Sequence, residues 1–227
     1  MSNQTAETPE ISERALNSSY IVCIDPGHQR KGNSNTEPMG PGSDTMKAKV
    51  SSGTTGKSTG IPEYKLNLQV GLYLKETLTE KGYHVVMTRE THDVDISNAE
   101  RARLANQNHA DCFIRLHADG SDDRSANGIM TMCQTKHNPY VASTYKESRL
   151  LSELILKYTS AKTGAKARYV SETDKMTGIN WCKVPVTIVE MGFMSNPDED
   201  KKMATEEYRR LLAEGIAEGT EAFFKLR

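Results

Sequence analysis

Four side chains stand where predicted strands or helices begin or end, and their types could build a metal site. They are His28, Glu63, His117 and Glu190. Zinc accepts histidine nitrogen and carboxylate oxygen, and a catalytic zinc site keeps three protein ligands with one open position. Two imidazoles and two carboxylates would therefore supply three ligands and one carboxylate that is free to act as a base.

Each of these residues also has an ordinary structural interpretation. A histidine at a strand end more often forms a hydrogen bond or faces solvent, and a glutamate such as Glu63 at a helix start interacts favourably with the helix dipole. Glu190 differs because it lies in the apolar segment VTIVEMGF, where burial of an unpaired carboxylate is costly. The sequence contains no H-E-x-x-H motif, and the residue types alone leave both interpretations open. The remaining histidines are interpreted as structural: His84, His92, His109 and His137.

Short apolar runs typical of strands alternate along the chain with segments whose apolar residues have helical spacing. Short apolar runs predict strands over residues 20–24, 83–87, 112–116, 129–133 and 186–190. Helical spacing predicts helices over residues 64–81, 98–109 and 145–161, with a last helix capped by Thr205. Ser97 and Glu100 form an S-x-x-E capping box at the second helix. This alternation predicts a single α/β domain with helices on both faces of the sheet.

Composition limits the class of protein. The chain of 227 residues corresponds to one large domain, and its 29 Lys+Arg against 30 Asp+Glu give a net charge of −1. This balance argues against a nucleic-acid-binding protein, and no apolar run approaches the length of a membrane span. The four cysteines include no C-x-x-C pair, and Cys23, Cys112 and Cys133 are expected to be free buried thiols because they lie in apolar runs.

Two segments are polar and show no apolar period. Residues 1–19 are expected to form a disordered N-terminal segment without the apolar core of a secretory signal. Residues 31–60 are rich in Gly, Ser and Thr and are predicted to be a long loop. A loop of this length is unusual in a compact domain and often has a function.

Five segments follow one another along the chain: IVCIDPGH, TGIPEYKLNLQV, VVMTRETHD followed by NAERARLANQ, FIRLHADGS, and VPVTIVEMGFMSNPDED. In this order they make the chain resemble the zinc-dependent N-acetylmuramoyl-L-alanine amidases of the Amidase_3 family. They extend over about nine tenths of the chain, from Tyr20 to about Phe224. No single segment would be specific enough alone, but their order and coverage make the resemblance strong.

The resemblance implies a twisted, mainly parallel mixed sheet of about six strands in a catalytic domain over residues 20–227. It implies that His28, Glu63 and His117 bind Zn²⁺ and that Glu190 is the catalytic base. The implied reaction is hydrolysis of the amide between N-acetylmuramic acid and the L-alanine of the peptidoglycan stem peptide. The chain would then act outside the cytoplasm on the cell wall, with any export signal outside this sequence, and we expect a monomer.

Three features leave alternatives open. Arg115 replaces a small residue common in the family, so that it could pair with Glu190, bind a substrate carboxylate, or form a structural ion pair elsewhere. Asp25 is a candidate to orient a ligand histidine. The loop over residues 31–60 is expected to border the cleft, and the absence of a segment resembling the autoinhibitory helix of some relatives predicts an open site.

Two other classes of protein compete with the amidase. One is a different zinc hydrolase on a similar sheet, such as a carboxypeptidase or a deacetylase. The other is a non-catalytic wall-binding domain that has kept the fold and lost the chemistry. Analysis of the products separates the first from an amidase, since an amidase exposes a new L-alanine amine and leaves the sugar N-acetyl groups intact.

Overall fold

A six-stranded sheet runs through residues 17–227, the part of the chain that this computed structural model describes. The strands are β1 (Ile21–Pro26), β4 (His84–Met87), β5 (Cys112–Asp119), β6 (Ile129–Cys133), β7 (Ala167–Glu172) and β8 (Val186–Phe193). They lie in the order β4-β1-β5-β8-β6-β7. All neighbouring strands are parallel except β6 and β8, which are antiparallel.

Helices cover both faces of this sheet, as predicted. They are α1 (Glu63–Glu80), α2 (Asn98–Gln107), α3 (Tyr145–Thr163), α4 (Thr177–Asn180), α5 (Pro197–Met203) and α6 (Glu206–Lys225). The larger core lies between one face and α1, α3 and α6, and the smaller core lies between the other face, α2 and α4. None of the described helices combines the length and apolar character needed to cross a membrane.

Most predicted elements are confirmed within a few residues. Leu66, Val70, Leu74 and Leu78 of α1 are each at most 1% exposed, because their four-residue spacing places them on one helix face. The predicted capping box at α2 is present, with Ser97 accepting from the Glu100 amide and the Glu100 side chain accepting from the Ser97 amide. Most of the predicted disordered segment, residues 1–16, lies outside the described residues.

The prediction of a loop over residues 31–60 is wrong in part. A two-stranded antiparallel hairpin forms there from β2 (Asn33–Pro38) and β3 (Met46–Val50). Most of its side chains are exposed or half-buried, so no apolar period marks it in the sequence. The edge strand β7 was also not predicted, since its residues ARYVSE are only partly buried.

All four cysteines are free and fully buried. This confirms the expectation for Cys23, Cys112 and Cys133, and Cys182 shares the same state. Burial raises the pKa of the Cys182 thiol to about 12 and that of the Cys133 thiol to about 11. A buried thiol that stays protonated is a small apolar side chain with little reactivity.

Candidate metal centre

Three side chains that are distant in the sequence converge on one point. His28 Nε2, His117 Nδ1 and Glu63 Oε1 form a triangle whose three sides are each 3.1 Å. Among the described residues they are the group of histidine, cysteine and acidic side chains that can hold a metal ion. The side chains of His28 and His117 remain 12% and 15% exposed, so that solvent reaches the cluster.

The fold brings these residues together at the carboxyl ends of neighbouring parallel strands. His28 follows β1, and His117 lies near the end of β5, which pairs with β1. Glu63 is the first residue of α1, and its side chain lies against the ends of both strands. Ligands of open α/β sheets bind at this edge, where the loops after the strands meet.

An unusual backbone conformation aims His28 at the cluster. Its φ is +60°, in the left-handed region that residues other than glycine rarely adopt. The imidazole Nδ1 lies 2.9 Å from the Ser51 carbonyl, which makes Nδ1 the donor and leaves a lone pair on Nε2. Strained residues of this kind persist where the surrounding structure holds them, and they are common at functional sites.

Two buried arginines hold the turn that carries His28. Arg89 donates to the carbonyls of Pro26 and Gly27, and Arg101 donates to those of Pro26 and His28. Guanidinium groups satisfy main-chain oxygens that would otherwise be buried without partners. The turn is thus fixed by long-range hydrogen bonds that do not involve a metal.

Asp25 does not orient a ligand histidine, so this prediction is wrong. Its fully buried carboxylate accepts from Arg101 Nη1 at 2.7 Å, Arg115 Nε at 2.8 Å and Thr88 Oγ1 at 2.6 Å. Arg115 therefore forms a structural ion pair with Asp25, which was one of its three alternatives, and does not pair with Glu190. Asp25 acts on the site indirectly, because it fixes the arginine that holds the His28 turn.

The protonation states of Glu63 and His117 suit a metal site. Burial raises the pKa of Glu63, but hydrogen bonds with His117 and His28 outweigh burial and hold that pKa well below its usual range. Burial is the main cause that lowers the pKa of His117 to about 4. An ionised carboxylate and neutral imidazoles are the forms that bind a metal ion.

The donor triangle has the dimensions that zinc requires. Tetrahedral zinc with bonds of about 2.0–2.1 Å separates its donor atoms by about 3.3 Å, close to the 3.1 Å found here. His28 Nε2 and Glu63 Oε1 are both acceptors when the imidazole is neutral, so their approach requires a proton or a cation between them. The other Glu63 oxygen accepts from the Thr54 amide at 2.8 Å, which fixes the carboxylate.

Glu190 stands beside this cluster without a partner of its own. It lies in register with His117 on the paired strands β5 and β8, and both side chains point to the same sheet face. No hydrogen bond or ion pair joins the Glu190 carboxylate to any residue in the range 17–227. Burial, with the nearby charges of Glu63 and Asp119, raises the pKa of Glu190 well above its ordinary value, which strengthens it as a base.

Two cavities share His28, His117 and Glu190 in their linings. The first, which we call the lysine-lined cavity, has a volume of about 360 Å³ and is bordered by Lys47 and Lys175. The second, the aspartate-lined cavity, has a volume of about 540 Å³ and is bordered by Asp119 and Asp122. The segment over residues 31–60 contributes to both cavities, which confirms that it borders the cleft.

An α/β sheet that carries a His–Glu–His cluster and an unpaired carboxylate at its carboxyl edge is typical of metal-dependent hydrolases. The profile of one such family, Amidase_3, described as N-acetylmuramoyl-L-alanine amidase, matches residues 22–222. The chain therefore belongs to the Amidase_3 family.

Relatives of known name support this assignment. The chain is 27% identical over 233 residues to the N-acetylmuramoyl-L-alanine amidase Rv3717 of Mycobacterium tuberculosis, with 96% of this chain and 93% of the relative covered. It is 26% identical over 226 residues to the amidase LytC of Bacillus subtilis, covering 96% of this chain. The match spans only 39% of the length of LytC.

Solved structures show the same fold. The N-acetylmuramyl-L-alanine amidase Ami1 of Mycobacterium smegmatis has a TM-score of 0.84 at 23% identity, covering 93% of this chain and 99% of that one. The N-acetylmuramoyl-L-alanine amidase of Clostridium difficile 630 has a TM-score of 0.74 at 27% identity, covering 91% and 97%. The single α/β domain with a mainly parallel mixed sheet is the architecture of these amidases.

Proposed function

We propose that residues 20–227 form a zinc-dependent catalytic domain that cleaves peptidoglycan between N-acetylmuramic acid and the L-alanine of the stem peptide. In this proposal His28, Glu63 and His117 bind the metal and Glu190 is the general base. The observation that carries the proposal is the 3.1 Å triangle of donor atoms with an unpaired carboxylate beside it. Membership of the Amidase_3 family supports the choice of substrate.

Zn²⁺ and Glu190 have separate roles in the proposed reaction. Zn²⁺, when bound, supplies a Lewis acid that makes water more acidic and polarises a carbonyl group. Glu190 accepts a proton from the water that attacks the amide carbonyl, and it then returns the proton to the departing L-alanine nitrogen. The amide C–N bond breaks as this nitrogen is protonated, which leaves a muramic acid carboxylate and a free amine.

The decisive experiment combines metal analysis of the purified chain with mass spectrometry of digested peptidoglycan. We expect about one zinc per chain and products with a new L-alanine amine and intact sugar N-acetyl groups. Release of a terminal amino acid would indicate a carboxypeptidase, and loss of acetyl groups would indicate a deacetylase. Zinc binding without any turnover would favour a non-catalytic domain.

We further propose that the domain acts outside the cytoplasm, because the relatives reported above are named N-acetylmuramoyl-L-alanine amidases and the peptidoglycan that such an amidase cleaves lies there, and that it is a monomer. Sedimentation of the purified chain tests the second point. A mass near 25.2 kDa is expected for the monomer.

Replacing His28 by alanine should reduce the metal content of the protein. Changes of residues that only hydrogen-bond to metal ligands reduce metal affinity about 10–100-fold. Because His28→Ala removes one of the three donor atoms themselves, we expect metal affinity to fall at least tenfold. Zinc titration against a chromophoric chelator measures this affinity. His137→Ala, which changes an exposed histidine outside the cluster, is the matched control. Undiminished zinc affinity in His28→Ala would remove His28 from the ligand set.

The Gly27→Ala substitution tests the geometry of the cluster without removing a donor atom. A Cβ at this position would collide with the His117 ring and with the Leu116 carbonyl oxygen at 2.7 Å. We expect His117 to be displaced and zinc affinity to fall about tenfold, while the far-ultraviolet circular dichroism spectrum is kept. Ser34→Ala, which changes an exposed side chain of β2 that lines neither cavity, is the control. Equal zinc affinity in both variants would contradict the assigned position of His117.

A further inference from the structure

The two cavities beside the cluster differ in charge. The lysine-lined cavity has Lys47 and Lys175 at its border, and Glu190, which it shares with the other cavity, is its only acidic lining residue. The aspartate-lined cavity has Asp119 and Asp122 as well as Lys57. The anionic end of a substrate would therefore be attracted by the lysine-lined cavity and repelled by the aspartate-lined cavity.

One of the two lysines of the lysine-lined cavity, Lys47, is held in place by a main-chain carbonyl. Lys47 Nζ on the β2–β3 hairpin donates to the Lys175 main-chain carbonyl at 2.8 Å, which joins the hairpin to the segment before α4. Neither lysine forms an ion pair with another described residue. Glu37, the register partner of Lys47, accepts instead from the Ala99 amide at 3.1 Å.

Arg115 adds a positive group to the lining of the same cavity. Its Nε and Nη2 are bonded to Asp25 and Asn98, whereas its Nη1 has no hydrogen bond to any of the described residues and lies against Gly178. A side chain at position 178 would occupy the place of this guanidinium group. The cavity thus presents one buried donor and two exposed ammonium groups to a ligand.

We infer that the lysine-lined cavity binds the stem peptide through the free α-carboxylate of its second residue, so that the sugar occupies the aspartate-lined cavity. This inference rests on the proposed function and assigns the direction in which the substrate crosses the metal centre. The second residue of the stem is linked through its side-chain carboxyl group, which leaves the α-carboxylate free unless it is amidated. This carboxylate lies about 7 Å from the scissile nitrogen in an extended chain, and the cavity touches both the metal ligands and the lysines.

The test uses two synthetic muramyl peptides that differ only in the second residue, D-isoglutamate or D-isoglutamine. We expect wild-type kcat/KM to be about tenfold higher for the free carboxylate, since a hydrogen bond to a charged group is worth more than one to an amide. In the double variant Lys47→Met/Lys175→Met the ratio should fall to about one. Lys183→Met, an exposed lysine before the amino end of β8, is the matched control and should keep the wild-type ratio.

Two outcomes would overturn the inference: a ratio near one in the wild type, or an unchanged ratio in the double variant. Absence of turnover with both peptides would instead defeat the proposed function. Calorimetric binding of the same two peptides to the Glu190→Gln protein then tests the cavity by itself. Equal affinities for the two peptides would contradict its role as a carboxylate site.

Discussion

Glu190→Gln should lose at least about 100-fold in turnover of muropeptides while the protein keeps its zinc. Glutamine has the size of glutamate but does not accept a proton at neutral pH, and general-base catalysis contributes about 10²–10⁴-fold. The metal should be retained because position 190 is not one of the three donors of the triangle. Mass spectrometry of released peptides measures turnover, and elemental analysis measures zinc.

The matched control for this variant is Glu153→Gln, which removes a carboxylate from the exposed surface of α3. It should turn over muropeptides at the wild-type rate. Near-normal activity of Glu190→Gln would exclude Glu190 as the base. Loss of zinc together with activity would show instead that Glu190 contributes to metal binding.

Asp25→Asn should destabilise the domain by about 3–5 kcal/mol, because it leaves two buried guanidinium groups without their counter-charge. Asp25 is fully buried between Arg101 and Arg115. Urea unfolding of the two proteins, followed by circular dichroism, measures the difference in free energy of unfolding. If the variant does not fold, Thr88→Val, which removes only one hydrogen bond to Asp25, should lose about 1–2 kcal/mol.

The stability that Asp25 provides should depend on pH in a defined direction. Burial raises the pKa of Asp25, but Arg101 and Arg115 outweigh burial and hold the pKa well below its usual range. A carboxylate with a lowered folded-state pKa stabilises the fold at pH values above about 4, and this contribution is lost as the pH falls further. The difference between wild type and Asp25→Asn should therefore be full at pH 7 and shrink below pH 4. A difference that is independent of pH would contradict the ion-pair interpretation.

The sequence was sufficient to predict five of the six strands of the sheet and to nominate the four site residues. Strand β6 was predicted over its full extent, Ile129–Cys133, and the helices of the larger core were recognised from their apolar spacing. Polar residues at the ends of parallel strands converge at one edge of such a sheet, so that His28 and His117 could be expected to meet. The position of Glu63 next to both histidines depends on where α1 begins, and it was predicted only from the family resemblance.

The sequence could not reveal the groups that support the site. Arg89 and Arg101 are buried because they bind main-chain oxygens of the His28 turn, and main-chain partners leave no trace in residue spacing. A charged residue on a helix is usually expected to face solvent, but Arg101 on α2 is 0% exposed. The β2–β3 hairpin was missed because two strands with mostly solvated side chains have no hydrophobic face to mark them.

The burial of all four thiols has a consequence for the environments in which this chain can work. Cys23, Cys112, Cys133 and Cys182 are closed to solvent, and their sulfur atoms stay protonated because burial disfavours the charged form. Thiolates are the species that oxidants and disulfides attack. The folded domain should therefore keep the same covalent structure on either side of a bacterial membrane, whether its surroundings are reducing or oxidising.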